Sequence, residues 1–316
     1  MARLSKRWCP GVPPVSSPFV IRVDAATVLL QWATGGLLFL WFTTRRRLVG
    51  IGYGWLLRGT NALLALGALA CGLAFGAEPV REAASIGVAV AASAALAVSV
   101  VRRKAGVSGQ QAEHDRRSAR VAAMTGIERS GRAGEHDDDT DRAAADRGRE
   151  FPPALDLVAP AIGLVGLVAA GFDAGGNHAV AVVRIVVGAA FLGAITDAML
   201  LGHWYLVQPG LPRNLLNELV QATKLVLPAE VAAMLLPTGM ISVFTGAVND
   251  GWGGTLGWFW IACAITTGVL CVVTQKALRE KYYSAVMAAT GLLYLAILTS
   301  FGTDLVARAV LAGSTR

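Results

Sequence analysis

The chain has 316 residues, 54% hydrophobic and only 16% charged, with 28 Lys/Arg against 21 Asp/Glu for a net charge of +7. Soluble domains carry about 25% charged residues, so this composition and a mean hydropathy of +0.54 exclude an ordinary water-soluble fold. Four cysteines and four histidines, scattered along the chain, exclude a disulfide framework or metal scaffold, and no cofactor is implied. Basic residues collect at segment ends rather than in a patch interleaved with aromatics, which argues against nucleic acid as a partner.

The sequence therefore predicts an all-α integral membrane protein, a bundle of about eight transmembrane helices whose immediate partner is the lipid bilayer. An N-terminal tail, 1–23, comes first. Pro10, Pro13 and Pro14 interrupt it where the apolar core of a cleavable signal would lie, so none is expected. A three-helix unit (24–101) follows, with apolar runs at 24–43, 55–77 and 83–101 that are long enough to cross a bilayer. Gln31-Trp32, near the middle of the first run, predicts a buried interhelical hydrogen bond. Gly72-x-x-x-Gly76 in the second and the Ala/Ser/Gly-rich third let helix backbones approach closely. Such faces suit packing within the chain; they also suit a membrane protein partner or a second copy of the chain.

Residues 102–150 hold eleven Lys/Arg and ten Asp/Glu and almost no large apolar residues. A segment of this kind cannot bury enough surface to offset chain entropy, and it is expected to be a disordered spacer or docking tether. A five-helix unit (151–316) completes the chain, with runs at 154–172, 178–206, 214–237, 254–276 and 283–307. Basic residues fall in the linkers after the first, third, fifth and seventh helices, whereas the intervening linkers contain only Arg81. Basic loops stay cytoplasmic, so the long loop is expected inside and both termini outside, against the charge of Arg3, Lys6, Arg7 and Arg22. Abundant Ala, Gly, Val and Arg with few Lys suggest a GC-rich bacterial coding sequence, and hence a bacterial inner membrane. Trp204, Tyr205, Tyr282 and Tyr283 are placed at the inner interface, and Trp252, Trp258 and Trp260 at the outer.

The fifth and sixth helices carry ionisable residues far from their ends: Arg184, Asp197 and His203, then Glu218, Lys224 and Glu230. A charge inside hydrocarbon costs at least ~2.5 kcal/mol, so such residues pair, line a wet cavity or do chemistry. At 1.5 Å per residue, Arg184 and Glu230 lie ~10 and ~6 Å to the outer side of their helix centres, and Asp197 and Lys224 ~9 and ~3 Å to the inner side. These depths suggest the pairs Arg184–Glu230 and Asp197–Lys224. Arg184 and Asp197 point ~220° apart around a straight helix, however, so one flat seam cannot hold both pairs unless Pro228 acts as a hinge. Asp304 in the eighth helix has a depth that suits Arg184. Pro228 also strips the Lys224 carbonyl of its helical donor.

Asn214, Asn217, Gln221 and Lys224 recur every three or four residues and form one polar stripe. It reads either as a path for a small solute, ion or proton or as a buried helix with mutually satisfied polar groups. His203 could pass protons toward Asp197, or anchor the interface with Trp204 and Tyr205. Transport along helices five and six is the leading reading. A non-catalytic subunit or assembly factor of a larger membrane complex is the alternative, and an enzyme at the inner leaflet using His203, Asp197 and Glu218 is the third.

Overall fold

Asp24, Glu78 and Asn177 each stand just before a helix, and each side chain accepts from N–H groups of the first turn: Ala26 N, then Val80 and Arg81 N, then Val180 N. These groups have no partner inside the helix, and a capping oxygen supplies one. The computed structural model describes residues 24–105, 150–208, 210–236, 239–247, 252–280 and 282–313. The expected N-terminal tail and nearly all of the expected disordered loop lie outside the described residues.

Eight long helices occur among the described residues: α1 (Ala25–Thr44), α2 (Ile51–Phe75), α3 (Pro79–Val101), α4 (Val158–Asp173), α5 (His178–Val207), α6 (Arg213–Leu235), α7 (Thr255–Arg279) and α8 (Tyr283–Gly313). Seven of the eight, α4 together with the 3-10 turn Pro153–Leu157 before it, are long and apolar enough to cross a membrane. This corrects the expected count of eight. The exception is α6, which matches the others in length, but Glu218, Lys224 and Glu230 fall within every 18-residue stretch of it.

The helices alternate in direction. At one end, the Gly50 N–H before α2 donates to Gln208 Oε1 after α5, and Trp55 Nε1 of α2 donates to Ser99 Oγ of α3. Arg46, just after α1, pairs with Glu218 of α6 at 2.6 Å, and Arg213 donates to the carbonyls of Glu280 and Tyr282. We call this the basic end, since Arg45–Arg47, Arg102, Arg103, Arg213 and Arg279 gather there. At the other, the Asp24 end, Asp24, Arg81, Asp173 and Arg308 surround one cleft. The first and last helices thus begin and finish on the same side of the bundle.

Helices α1 and α5 meet at backbone distance. A Cβ added to Gly35 would stand 1.8 Å from the Ala189 carbonyl oxygen, and one on Gly193 would stand 2.2 Å from the Gly35 carbonyl carbon. Around this contact Leu30, Leu37, Leu40, Tyr53, Ile195 and Leu201 are fully buried. Gly35→Ala should lower stability by about 1–3 kcal/mol, because the clashing atom is main chain and α1 must move as a body. Thermal unfolding of the purified variant in detergent checks this; an unchanged midpoint would contradict the packing.

Other expectations need correcting. Tyr205 is not an interface anchor: it is buried and its hydroxyl donates to the Pro212 carbonyl. Trp260 is buried as well, whereas Trp252, Trp258, Tyr282 and Tyr283 are exposed. Gly76 lies beyond the end of α2, and the space beside Gly72 is taken by the Glu82 carboxylate, so this pair packs within the chain. Ile241–Phe244 is a single helical turn whose Met240 and Val243 flank pack with Met234, Trp260 and Val310.

Candidate functional site

Residues three and four apart share one face of a helix. On α6 this brings Asn214, Asn217 and Gln221 to one exposed side. With Arg213 and with Gln275, Leu278 and Arg279 of α7 they line a groove of about 300 Å³ at the basic end. Beside it, Lys224 Nζ donates to Gln275 Oε1 at 2.6 Å, and Gln275 Nε2 donates to Gln221 Oε1 at 2.7 Å.

The expected Asp197–Lys224 pair does not form, because similar depth does not mean similar direction. Lys224 faces α7, while Asp197 is fully buried toward α1 and α2. Asp197 Oδ2 accepts from Thr43 Oγ1 at 2.7 Å, and the Asp197 carbonyl accepts from the Tyr53 hydroxyl at 3.3 Å. Because the partner of Lys224 is a neutral, half-exposed amide, Lys224→Ala should cost only about 1 kcal/mol. Unfolding of the variant in detergent tests this. A loss several times larger would mean that an acid had been left unpaired.

The opposite half of the bundle holds a more deeply buried group. Arg184 Nε donates to the Ala233 carbonyl at 2.8 Å, and its Nη2 donates to that of Leu236, so it caps the end of α6. Arg308 Nε donates to Asp304 Oδ1 at 2.8 Å across one turn of α8, and Arg308 Nη2 donates to the Arg184 carbonyl at 3.0 Å. Glu230 faces Asp304, Arg308 and Arg184. Arg184 and Glu230 therefore share one cluster without making the expected ion pair, and Asp304 is bonded by Arg308 rather than Arg184. Glu230 and Asp304 are both 0% exposed, yet neither Glu230 oxygen, nor Asp304 Oδ2, meets a hydrogen-bond donor.

Gly188 makes the space for this group. A Cβ there would lie 2.5 Å from Arg308 Nη2, 2.8 Å from Gln31 Nε2 and 2.9 Å from Asp304 Oδ1. No two of those three atoms are thus more than about 6 Å apart. Gln31 makes the interhelical bond expected of it, Nε2 donating to the Ile185 carbonyl at 2.7 Å, while its Oε1 stays buried without a partner. Trp32 Nε1 likewise donates to Thr196 Oγ1 at 3.0 Å. Gln31 and Arg308 form part of the wall of the cleft at the Asp24 end, which has a volume of about 350 Å³. Thr27, Arg81 and Asp173 line it as well. Arg81 is held there by Asp24, Glu82, Thr27 and the Gly76 carbonyl.

The remaining expected residues fall elsewhere. His203 is exposed and its Nδ1 lies 3.2 Å from the Tyr294 hydroxyl, whereas Glu218 bonds Arg46. His203, Asp197 and Glu218 thus have separate partners. Helix α6 continues through Pro228. Sequence reasoning overlooks Arg308, four residues after Asp304 but beyond the expected end of the last helix. It also overlooks the buried Arg58–Asp156 pair. No protein-family model matches this chain, and no curated protein or solved structure matches it significantly.

Proposed function

We propose that this multi-pass membrane protein moves a small polar solute or ion across the bilayer, with α6 as the element approached from both sides. The observation that carries the reading is the pair of polar spaces at opposite ends. The groove at the basic end runs beside Gln221, Gln275 and Lys224; the cleft at the Asp24 end reaches Gln31 and Arg308, next to Asp304 and Glu230. Lys224 and Glu230 are six residues apart on α6, only ~9 Å along its axis. Between them Pro228 removes one backbone hydrogen bond, which lowers the cost of bending α6 at that level. Positive charge favours the cytoplasmic side, so the basic end faces the cytoplasm and the Asp24 end faces outward.

The test is flux through the purified chain in liposomes, screened over inorganic ions, amines and amino acids. At least one solute should move, and Gln31→Leu, which fills the base of the cleft with an apolar group, should stop it. A second reading rests on the exposed polar stripe Asn214, Asn217 and Gln221, which a membrane partner could cover in an accessory subunit. No flux for any solute, together with a stoichiometric partner that is lost on Asn217→Leu, would favour that reading.

A further inference from the structure

Two carboxyls that face each other inside a bundle present only acceptors when both are ionised. Glu230 Oε1 and Oε2 and Asp304 Oδ2 are buried without a donor, although the two side chains are near enough to bond each other. One proton resolves this, since a neutral acid donates to the neighbouring carboxylate. The charged groups around the pair are Arg184 from α5 and Arg308 from α8. Helix α7, which also packs on α6, carries its charged residues Lys276 and Arg279 in its last turn, at the basic end. Arg308 already bonds Asp304 Oδ1, and Arg184 is committed to the carbonyls of Ala233 and Leu236, so both act on Glu230 through their charge but neither gives it a hydrogen bond.

The cleft at the Asp24 end comes close to the pair, because Arg308, which lines it, also bonds Asp304. Gln31 Oε1 is a buried acceptor with no partner, on a side chain that lines the cleft, and Gln31 Nε2 lies within about 6 Å of Asp304 Oδ1. Water entering the cleft would find that acceptor at its base.

We propose that Glu230 and Asp304 bind a single transported proton between them, so that the proton is the driving or carried ion of this protein. This rests on the transport reading and names its ion. On loading, a hydronium ion in the cleft gives one proton to the Glu230 carboxylate, leaving water and a neutral acid that donates to Asp304 Oδ2. On release the O–H bond breaks, the proton passes to water on the other side, and the electron pair stays on the carboxylate.

The experiment is infrared spectroscopy of the full chain in lipid at neutral pH. A C=O stretch of a buried, hydrogen-bonded carboxylic acid should be present and should shift when glutamate is labelled with ¹³C at the carboxyl. Glu230→Gln should remove that band, and Asp304→Asn should shift it as the charged carboxylate acceptor is replaced by a neutral amide. A wild-type spectrum without a ¹³C-glutamate-sensitive acid band, or a band unchanged in both variants, overturns the proposal. The isotope measurement needs no variant, so it decides the matter even where a substitution prevents folding. Flux without the band would refute the proton pair alone. The band without flux of any solute would refute the transport reading, and with it the proton's role as a transported ion, while leaving the shared proton itself in place.

Discussion

Arg58→Ala should destabilise the folded protein by about 3–5 kcal/mol, the cost of leaving a buried charge without its partner. Arg58 Nε and Nη2 each donate to Asp156 at 2.7 Å in a two-point pair whose side chains are 3% and 1% exposed. The pair ties α2 to the 3-10 turn that opens α4. Thr44 Oγ1 adds a longer bond to Asp156 Oδ2 at 3.3 Å, and the Phe151 ring lies 4.2 Å from Arg58 Cζ. Truncating Arg58 leaves a carboxylate that one hydroxyl cannot stabilise. Removing both charges with Arg58→Met and Asp156→Leu should recover most of the loss, since two apolar groups of similar volume need no partner. Denaturant unfolding in mixed micelles measures both. A double variant no more stable than Arg58→Ala would show that the loss comes from packing rather than from the orphaned charge.

Arg308→Ala should be similarly costly, about 3–5 kcal/mol, and should also abolish transport. It removes the donor to Asp304 Oδ1 and the donor to the Arg184 carbonyl, and it leaves Glu230 and Asp304 facing each other with Arg184 as the remaining nearby cation. Adding Asp304→Asn should restore stability, because it removes the acid that Arg308 holds, but not transport. Unfolding and liposome flux read the two effects separately. Stability unaffected by Arg308→Ala would mean that the Arg308–Asp304 bond does not hold this part of the bundle together.

Helix placement is legible in this sequence because an apolar run of bilayer length is matched to hydrocarbon thickness and is rare in water-soluble chains. Expected and observed limits of α1, α5 and α7 differ by three residues or fewer. Boundaries hide the ionic anchors. Starting α2 at 55 makes Arg58 look like a basic linker residue; its actual start at Ile51 carries Arg58 two turns into the bundle. Ending α8 at 307 likewise loses Arg308, although Asp304 and Arg308 form an i,i+4 pair. An arginine near a helix end is read as a topology marker, and only its acid, here 98 residues away for Arg58, shows that it points inward. Pairing by depth fails for Asp197 and Lys224 because depth gives an axial level and leaves the direction around the helix open. Depth does bring Arg184, Glu230 and Asp304 to one level, but the expected bonds of Arg184 to Glu230 and to Asp304 do not form, because Arg184 turns to the carbonyls of Ala233 and Leu236.

The central claim is that polar spaces from opposite membrane faces approach the same helix. Cysteines introduced singly at Gln31 and Gln221, in a variant whose four native cysteines are replaced, test it with a membrane-impermeant thiol reagent. Gln31→Cys should react from the outer face only, in right-side-out vesicles, and Gln221→Cys from the cytoplasmic face only, in inverted ones. Reaction of both from the same face, or of neither from any face, would contradict the account.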